Sequence, residues 1–351
     1  MSRQSLSELV EEFSRRGREP AIVARRGYRR EVTSYRQLTR WAVQFALELR
    51  ERGIRTGDRV MLWGPNGPEW VAAFWGCLLR GAVAVPMDDA ATPEFAARVA
   101  ADAAVKLIVA AQEKPEISSA ASLLELEDLV STISRPYGVG SVRTPGEPQQ
   151  KQSIAQICAD EPLTRKHVAE ILFTSGTTGE PRGVVLTHGN FLANLEPIER
   201  GFAPYRKYER WFHPLRFVTL VPLSHVFGQV MGLFLPPLLG ATVVFELSAN
   251  PGEILRTVKR ERATALIAVP RMLDALRGAL EREAEARGEQ QAFARAFAAA
   301  AGQKFLRRVW RFRRIHRRLG WKFWAFICGG AALGAETENF FRRLGYAVVH
   351  H

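Results

Sequence analysis

EILFTSGTTGEPRGVVLTHGN, Glu170 to Asn190, decides how the chain is read. An apolar run enters a loop of small hydroxyl and glycine residues and a second apolar run leaves it, which predicts a strand, a tight loop and another strand. Glycines let the backbone approach a ligand closely, and the backbone N–H groups with the hydroxyls of Thr174, Ser175, Thr177 and Thr178 supply donors suited to phosphate oxygens. Arg182 adds a planar cation of the right sign. No Gly-Lys-Ser/Thr follows at the Walker A offset, and the chain leaves the loop as a strand instead of a helix. Taken alone, SGTTG also fits a polar hairpin turn whose glycines serve only backbone geometry.

Upstream of this stretch, strand and helix patterns alternate. A helix is expected from Ser5 to Arg16, a hairpin where PAIVARR and REVTS flank Gly27, and a helix from the Ser34 cap through Glu51. The strand DRVMLWG, a turn at Pro65 to Pro68, an aromatic-rich helix through Leu79 and the strand AVAVPM follow, then a helix opened by Pro93 and the strand VKLIVAA from Val105. Alternation at these lengths predicts βαβ units and a parallel sheet. From about 115 to 165 the prolines and glycines suggest an irregular connection. Order resumes at His167 and later includes the strand ATALIAV and a helix from Pro270 to about Arg287.

The 351 residues are 47% apolar and 24% charged, which fits a globular protein and excludes collagen-like, disulfide-scaffold and wholly disordered chains. The net charge of +13 is concentrated: nine basic residues and no acid lie between Lys304 and Lys322. Such a surplus favours phosphate-bearing partners or anionic membranes. Three widely spaced cysteines, Cys77, Cys158 and Cys328, lack metal-site or disulfide-framework spacing and predict buried reduced thiols in a cytoplasmic protein. The N-terminus has no apolar core of a secretory signal. Phe217 to Phe245 runs 29 residues without a charge, longer than the roughly 20 that span a bilayer. Its prolines, His225, Gln229 and Gly240 instead predict a buried strand, a helix and a second strand.

With Pro-Arg-Gly and the second strand included, Glu170 to Asn190 closely resembles the adenylate-forming (AMP-binding) superfamily of acyl-CoA synthetases, luciferases and peptide-synthetase adenylation domains. The resemblance implies that Thr174, Ser175, Gly176, Thr177, Thr178, Gly179 and Arg182 bind the ATP triphosphate, with arginine standing where lysine is usual. PLSHVFG, Pro222 to Gly228, is a second match, and it implies that His225 and Phe227 border the acyl and adenylate pocket. By itself, a histidine in an apolar run is more often a hydrogen-bonded core residue. FICGGAALG, from Phe326, is a third match, implying that Gly329, Gly330 and Ala331 lie against the adenine and the carboxylate substrate.

The residues leading into that loop look most like bacterial long-chain fatty acid–CoA ligases, which carry a basic helical insertion there, about 281–326 in this chain. Aromatic residues interspersed with cations, including Arg307, Trp310, Arg311, Arg314, Arg318, Trp321 and Trp324, could form one amphipathic helix on an anionic lipid surface. A solvated helix or a nucleic-acid patch shares that composition. The resemblance thus implies an α/β fold, the N-terminal domain of the adenylate-forming enzymes with stacked α/β/α subdomains and largely parallel sheets. The resemblance runs from about Pro20 to the end and implies that 1–351 is an incomplete AMP-binding N-terminal domain, with the C-terminal domain absent and the catalytic Glu and Lys expected beyond the chain end.

The implied reaction is activation of a long-chain fatty acid with ATP and Mg²⁺, then transfer to coenzyme A, by an acid–thiol ligase. That enzyme would be cytoplasmic and peripheral on the inner face of the membrane, with no specific nucleic acid. An adenylating ligase for aryl, short-chain or amino acids, and a non-catalytic basic module binding membranes or nucleic acid, are the alternatives.

Overall fold

Runs such as VMLW and VAVP present no polar face, so they form strands only where both sides of a sheet are covered. The computed structural model describes residues 3–117, 119–131, 154, 158–175, 181–202 and 213–350. Its strands are β1 (Pro20–Arg26), β2 (Arg29–Ser34), β3 (Arg59–Trp63), β4 (Val83–Met87), β5 (Leu107–Ala110), β6 (Ser122–Glu125), β7 (Val168–Ser175) and β8 (Pro181–Thr187), followed by β9 (Arg216–Thr219), β10 (Thr242–Phe245), β11 (Ala265–Ala268), β12 (Ala325–Cys328) and β13 (Ala347–His350). They form two mostly parallel sheets, ordered β6-β5-β3-β4-β7-β8 and β13-β12-β11-β9-β10-β1-β2. The chain has the expected α/β architecture.

The chain divides into two units, one of 1–22, 31–211 and 222–240, the other of 23–30, 212–221 and 241–351. In the first, β3, β4, β5, β6 and β7 pair in parallel and β8 closes the sheet antiparallel to β7. The helix Pro68–Arg80 is buried along its whole length. Around it Phe13, Tyr35, Trp75, Phe74 and Phe234 make edge and tilted ring contacts 5.0 to 6.4 Å apart. Each large side chain buried in this way stabilises the fold by roughly 1.5–3 kcal/mol. Ser34 and Gln37 form the capping box that starts the helix Tyr35–Glu51.

In the second unit, β12, β11, β9 and β10 run parallel over a core that includes Leu266, Leu273, Phe326, Phe341 and Leu344. The uncharged stretch 217–245 resolves into β9, the short helix Val226–Gln229, a π-helical turn Val230–Phe234, the helix Leu235–Leu239 and β10. No helix among the described residues is long and apolar enough to cross a membrane.

Two expectations change. The opening helix is a 3₁₀ turn, Leu6–Leu9, followed by the α-helix Val10–Arg16. Within 115–165, expected to be irregular, Ser122–Glu125 pairs in parallel with β5 and Asp128–Ser131 is helical, while 132–153 and 155–157 lie outside the described residues. None of the β6 side chains is buried, so this edge strand lacks the apolar pattern that reveals a covered one.

Candidate functional site

In open parallel sheets, ligands bind beyond the carboxyl ends of the strands, where loops converge without blocking one another. Because β3, β4 and β7 run parallel, the segments after Trp63, Met87 and Ser175 leave the same edge of the first unit's sheet. These segments carry Asn66, Asp88 and the predicted phosphate loop.

The loop connects β7 to the edge strand β8. Thr174 pairs with Arg182 and Ser175 with Pro181 across the antiparallel ladder, so the last residues of β7 and the first of β8 clamp its ends. Gly176, Thr177, Thr178 and Gly179 lie outside the described residues. Arg182 is exposed on the edge strand. Gly183 is needed for close approach, because a Cβ there would stand 2.9 Å from Ile171 Cγ2 and 3.0 Å from the Phe173 ring. After β8, the Thr187 backbone N–H donates to Asn190 Oδ1 at 2.9 Å and the Asn190 N–H donates to Thr187 Oγ1 at 3.2 Å, closing the start of the helix His188–Phe202.

The second motif meets this edge through three hydrogen-bonding groups. The Leu223 backbone N–H donates to Asn66 Oδ1 at 2.9 Å, and the Ser224 hydroxyl donates to Asp88 Oδ2 at 3.4 Å. His225 Nε2 lies 3.5 Å from the same Asp88 oxygen. The Ala90 backbone N–H fixes the other carboxylate oxygen at 2.8 Å. His225 holds the Asp88 carboxyl below the usual carboxylate range, assisted by Ala90 and Ser224 against the opposing cost of burial. His225 is exposed at the start of the helix Val226–Gln229, and Phe227 is half-buried. The histidine is therefore not a core residue.

Beneath this surface Glu170 and Gln229 are both fully buried, and Gln229 Nε2 donates to Glu170 Oε2 at 2.8 Å. Burial pushes the Glu170 carboxyl up to about 8, with the Gln229 amide pulling in the opposite direction. Asn66, Asp88, Glu170 and Gln229 were not among the expected site residues. An acid inside the apolar VAEILF, and an acid directly after the apolar AVAVPM, were the available signals.

In the second unit, Gly329, Gly330 and Ala331 follow β12. Gly329 is buried, whereas Gly330 and Ala331 are exposed. Gly330 has φ +85° with Val269 Cγ1 as the nearest atom to an added Cβ, 3.8 Å away, so backbone conformation and not space demands glycine.

The basic segment is not one amphipathic helix. It forms two seven-residue helices, Phe305–Arg311 and Arg313–Leu319, broken at Phe312. Phe312, Leu319 and Phe323 enter the core and Ile315 packs against it, which fixes the break. Arg308 donates to the Arg342 carbonyl, Arg314 pairs with Glu289 and Arg318 with Glu283, so part of the charge is spent within the fold. Arg307 and Arg311 are exposed. Leu306, Trp310 and Trp321 are 76%, 72% and 83% exposed, and Trp324 is 48% exposed, leaving an apolar patch among cations. The Arg313 guanidinium lies 5.1 Å from the Trp310 ring centre.

The sequence profile of the AMP-binding enzyme family matches residues 9–351. A feruloyl-CoA synthase of Amycolatopsis sp. is 30% identical over 247 residues, covering 69% of this chain and 45% of that protein. A mitochondrial medium-chain acyl-CoA ligase of Danio rerio is 28% identical over 297 residues, 77% of this chain and 46% of that protein. The chain thus spans less than half the length of these relatives. Among solved structures, the fatty acyl-adenylate ligase from L. pneumophila superimposes with a TM-score of 0.67 at 18% identity, over 99% of this chain and 54% of that one, a likeness of fold.

Proposed function

The chain belongs to the AMP-binding enzyme family, and we propose that it forms the nucleotide- and acid-binding part of an acid–CoA ligase. The reaction joins a carboxylic acid to the adenylyl group of ATP, releases pyrophosphate, and then passes the acyl group to coenzyme A. Converting a poor leaving group to a good one in this way leaves the protein to orient the reactants and to stabilise developing charge. The reading is supported above all by one observation: Asn66, Asp88 and the ends of the glycine loop leave the same sheet edge, and Ser224 and His225 hydrogen-bond or pair there with Asp88.

In this reading Thr174, Ser175, Gly176, Thr177, Thr178, Gly179 and Arg182 hold the triphosphate. His225 and Phe227 border the acyl group, and Gly329, Gly330 and Ala331 shape the adenine side. Among the described residues no group of three or more His, Cys, Asp or Glu gathers to hold a metal ion. The Asp88 carboxylate instead fixes the His225 ring and keeps a compensating charge beside it.

The acid we propose is a long-chain fatty acid. Exposed Leu306, Trp310, Trp321 and Trp324 among arginines support this, since such a patch suits an anionic lipid surface from which the acid is drawn. The relatives named for feruloyl and medium-chain acyl substrates define the competing choices. Three buried free thiols support a reducing, cytoplasmic setting. The matched stretch, with its basic segment at about 281–326, is proposed as one adenylation domain.

ATP–pyrophosphate exchange over acids of graded length tests the reading. Exchange that requires an acid and favours long chains is expected; preference for short aromatic acids removes the long-chain assignment, and exchange with no acid removes the ligase. Flotation with anionic vesicles, set against a DNA shift at matched salt, separates the lipid surface from a nucleic-acid patch.

A further inference from the structure

Glu170 lies in the strand that enters the glycine loop, and Gln229 closes the helix that His225 opens. Both are 0% exposed, and their hydrogen bond joins two segments far apart in sequence. Gln229 directly precedes the π-helical turn Val230–Phe234, a wide turn that interrupts ordinary helix geometry and recurs at functional sites. Among the described residues, Glu170 Oε1 and Gln229 Oε1 have no hydrogen-bond partner. With Glu170 ionised, both are orphan acceptors in an apolar layer; a proton on Glu170 converts one acceptor into a donor.

We propose that Glu170 and Gln229 form a neutral acid–amide clasp that positions the His225 helix against the phosphate-loop strand, and that loss of the Glu170 proton unfastens it. The carboxylate form leaves a full buried charge with one donor, so ionisation favours arrangements in which solvent reaches the pair. Opening the pair separates the helix from the strand. Glu170 is thus a positioning residue acting through Gln229, and its role in catalysis rests on the ligase reading above.

The groups around Glu170 leave it the titrating member. Its cross-strand partners are Ala84 on β4 and Leu186 on β8. Among the described residues, the charged or titratable ones on or directly beside those elements are Asp88 after β4, Arg182 on β8, His188 after β8 and His225 at the head of the Gln229 helix. None contributes to the Glu170 shift, which comes from burial and the Gln229 amide.

The test follows the His225 ring resonance by NMR from pH 6 to 9.5, identified by its loss in His225→Asn. The wild type should show an additional inflection near pH 8, and Glu170→Gln should abolish it. A His225 resonance with no such inflection, or one that persists in Glu170→Gln, overturns the clasp. Should Glu170→Gln fail to fold, Gln229→Leu serves instead: removing the amide uncouples the His225 helix from Glu170 and should abolish the inflection, and an inflection that persists unmoved overturns the proposal. In parallel, wild-type ATP–pyrophosphate exchange should fall about tenfold per pH unit above the inflection, a limb that Glu170→Gln loses. Absence of exchange at every pH contradicts the ligase reading alone, because the NMR arm still decides the clasp.

Discussion

Asp88 and His225, brought together from the end of β4 and the start of a later helix, sit with Oδ2 and Nε2 3.5 Å apart. The two side chains are 40% and 62% exposed, so solvent screening keeps the stabilisation of the fold below about 1 kcal/mol. Their value lies in orientation. The carboxylate also takes the Ser224 hydroxyl and the Ala90 amide, which leaves the imidazole a fixed counter-charge.

Asp88→Asn should therefore separate positioning from stability. Acid-dependent ATP–pyrophosphate exchange is expected to fall roughly tenfold, with thermal unfolding moved by no more than a few degrees. Exchange unchanged in the variant would remove the pair from the site.

A second titration concerns the helix that follows β8. His188 is buried, and its Nδ1 accepts the Leu6 backbone N–H at 3.2 Å. Burial first, then the neighbouring His167, lowers the His188 pKa from 6.5 to about 4. The folded state holds the neutral ring, so this group's contribution is complete above pH 6.5 and is lost as pH falls toward 4, a total of about 3 kcal/mol. His188→Gln, which keeps an acceptor for Leu6 but does not titrate, should remove that part of the acid dependence. Denaturant unfolding of both proteins between pH 7 and 4 measures it; parallel curves would contradict the buried neutral ring.

Gly330 makes a prediction about backbone alone. An alanine side chain there meets nothing closer than 3.8 Å, yet the residue keeps φ +85°. Gly330→Ala should cost about 1 kcal/mol in urea unfolding, with Gly330→Asn costing less because asparagine visits this region more readily. Equal costs for the two would point to a clash instead of backbone strain.

Much of this structure was legible because it depends on local pattern. The apolar runs of β3, β4 and β5, the Ser34 cap and the strand–loop–strand at Glu170 to Asn190 all follow from short-range chemistry. β6 escaped because its side chains are uncovered and carry no apolar signature. The basic segment misled for a related reason. Its composition fits an amphipathic helix, but Phe312 and Leu319 are taken by the core, a choice made by tertiary packing. Asp88 and Glu170 could be noticed as acids in apolar surroundings, yet their partners His225 and Gln229 come from a distant segment that only the fold brings near.

The central claim is that the hydroxyl- and glycine-lined loop between β7 and β8 holds a nucleotide's phosphates. Amide hydrogen exchange across residues 174–182, followed by mass spectrometry with and without saturating ATP, tests it directly. The account predicts slower exchange in this segment on addition of ATP, weakened in Arg182→Ala. Exchange there that is unaltered by ATP would contradict it.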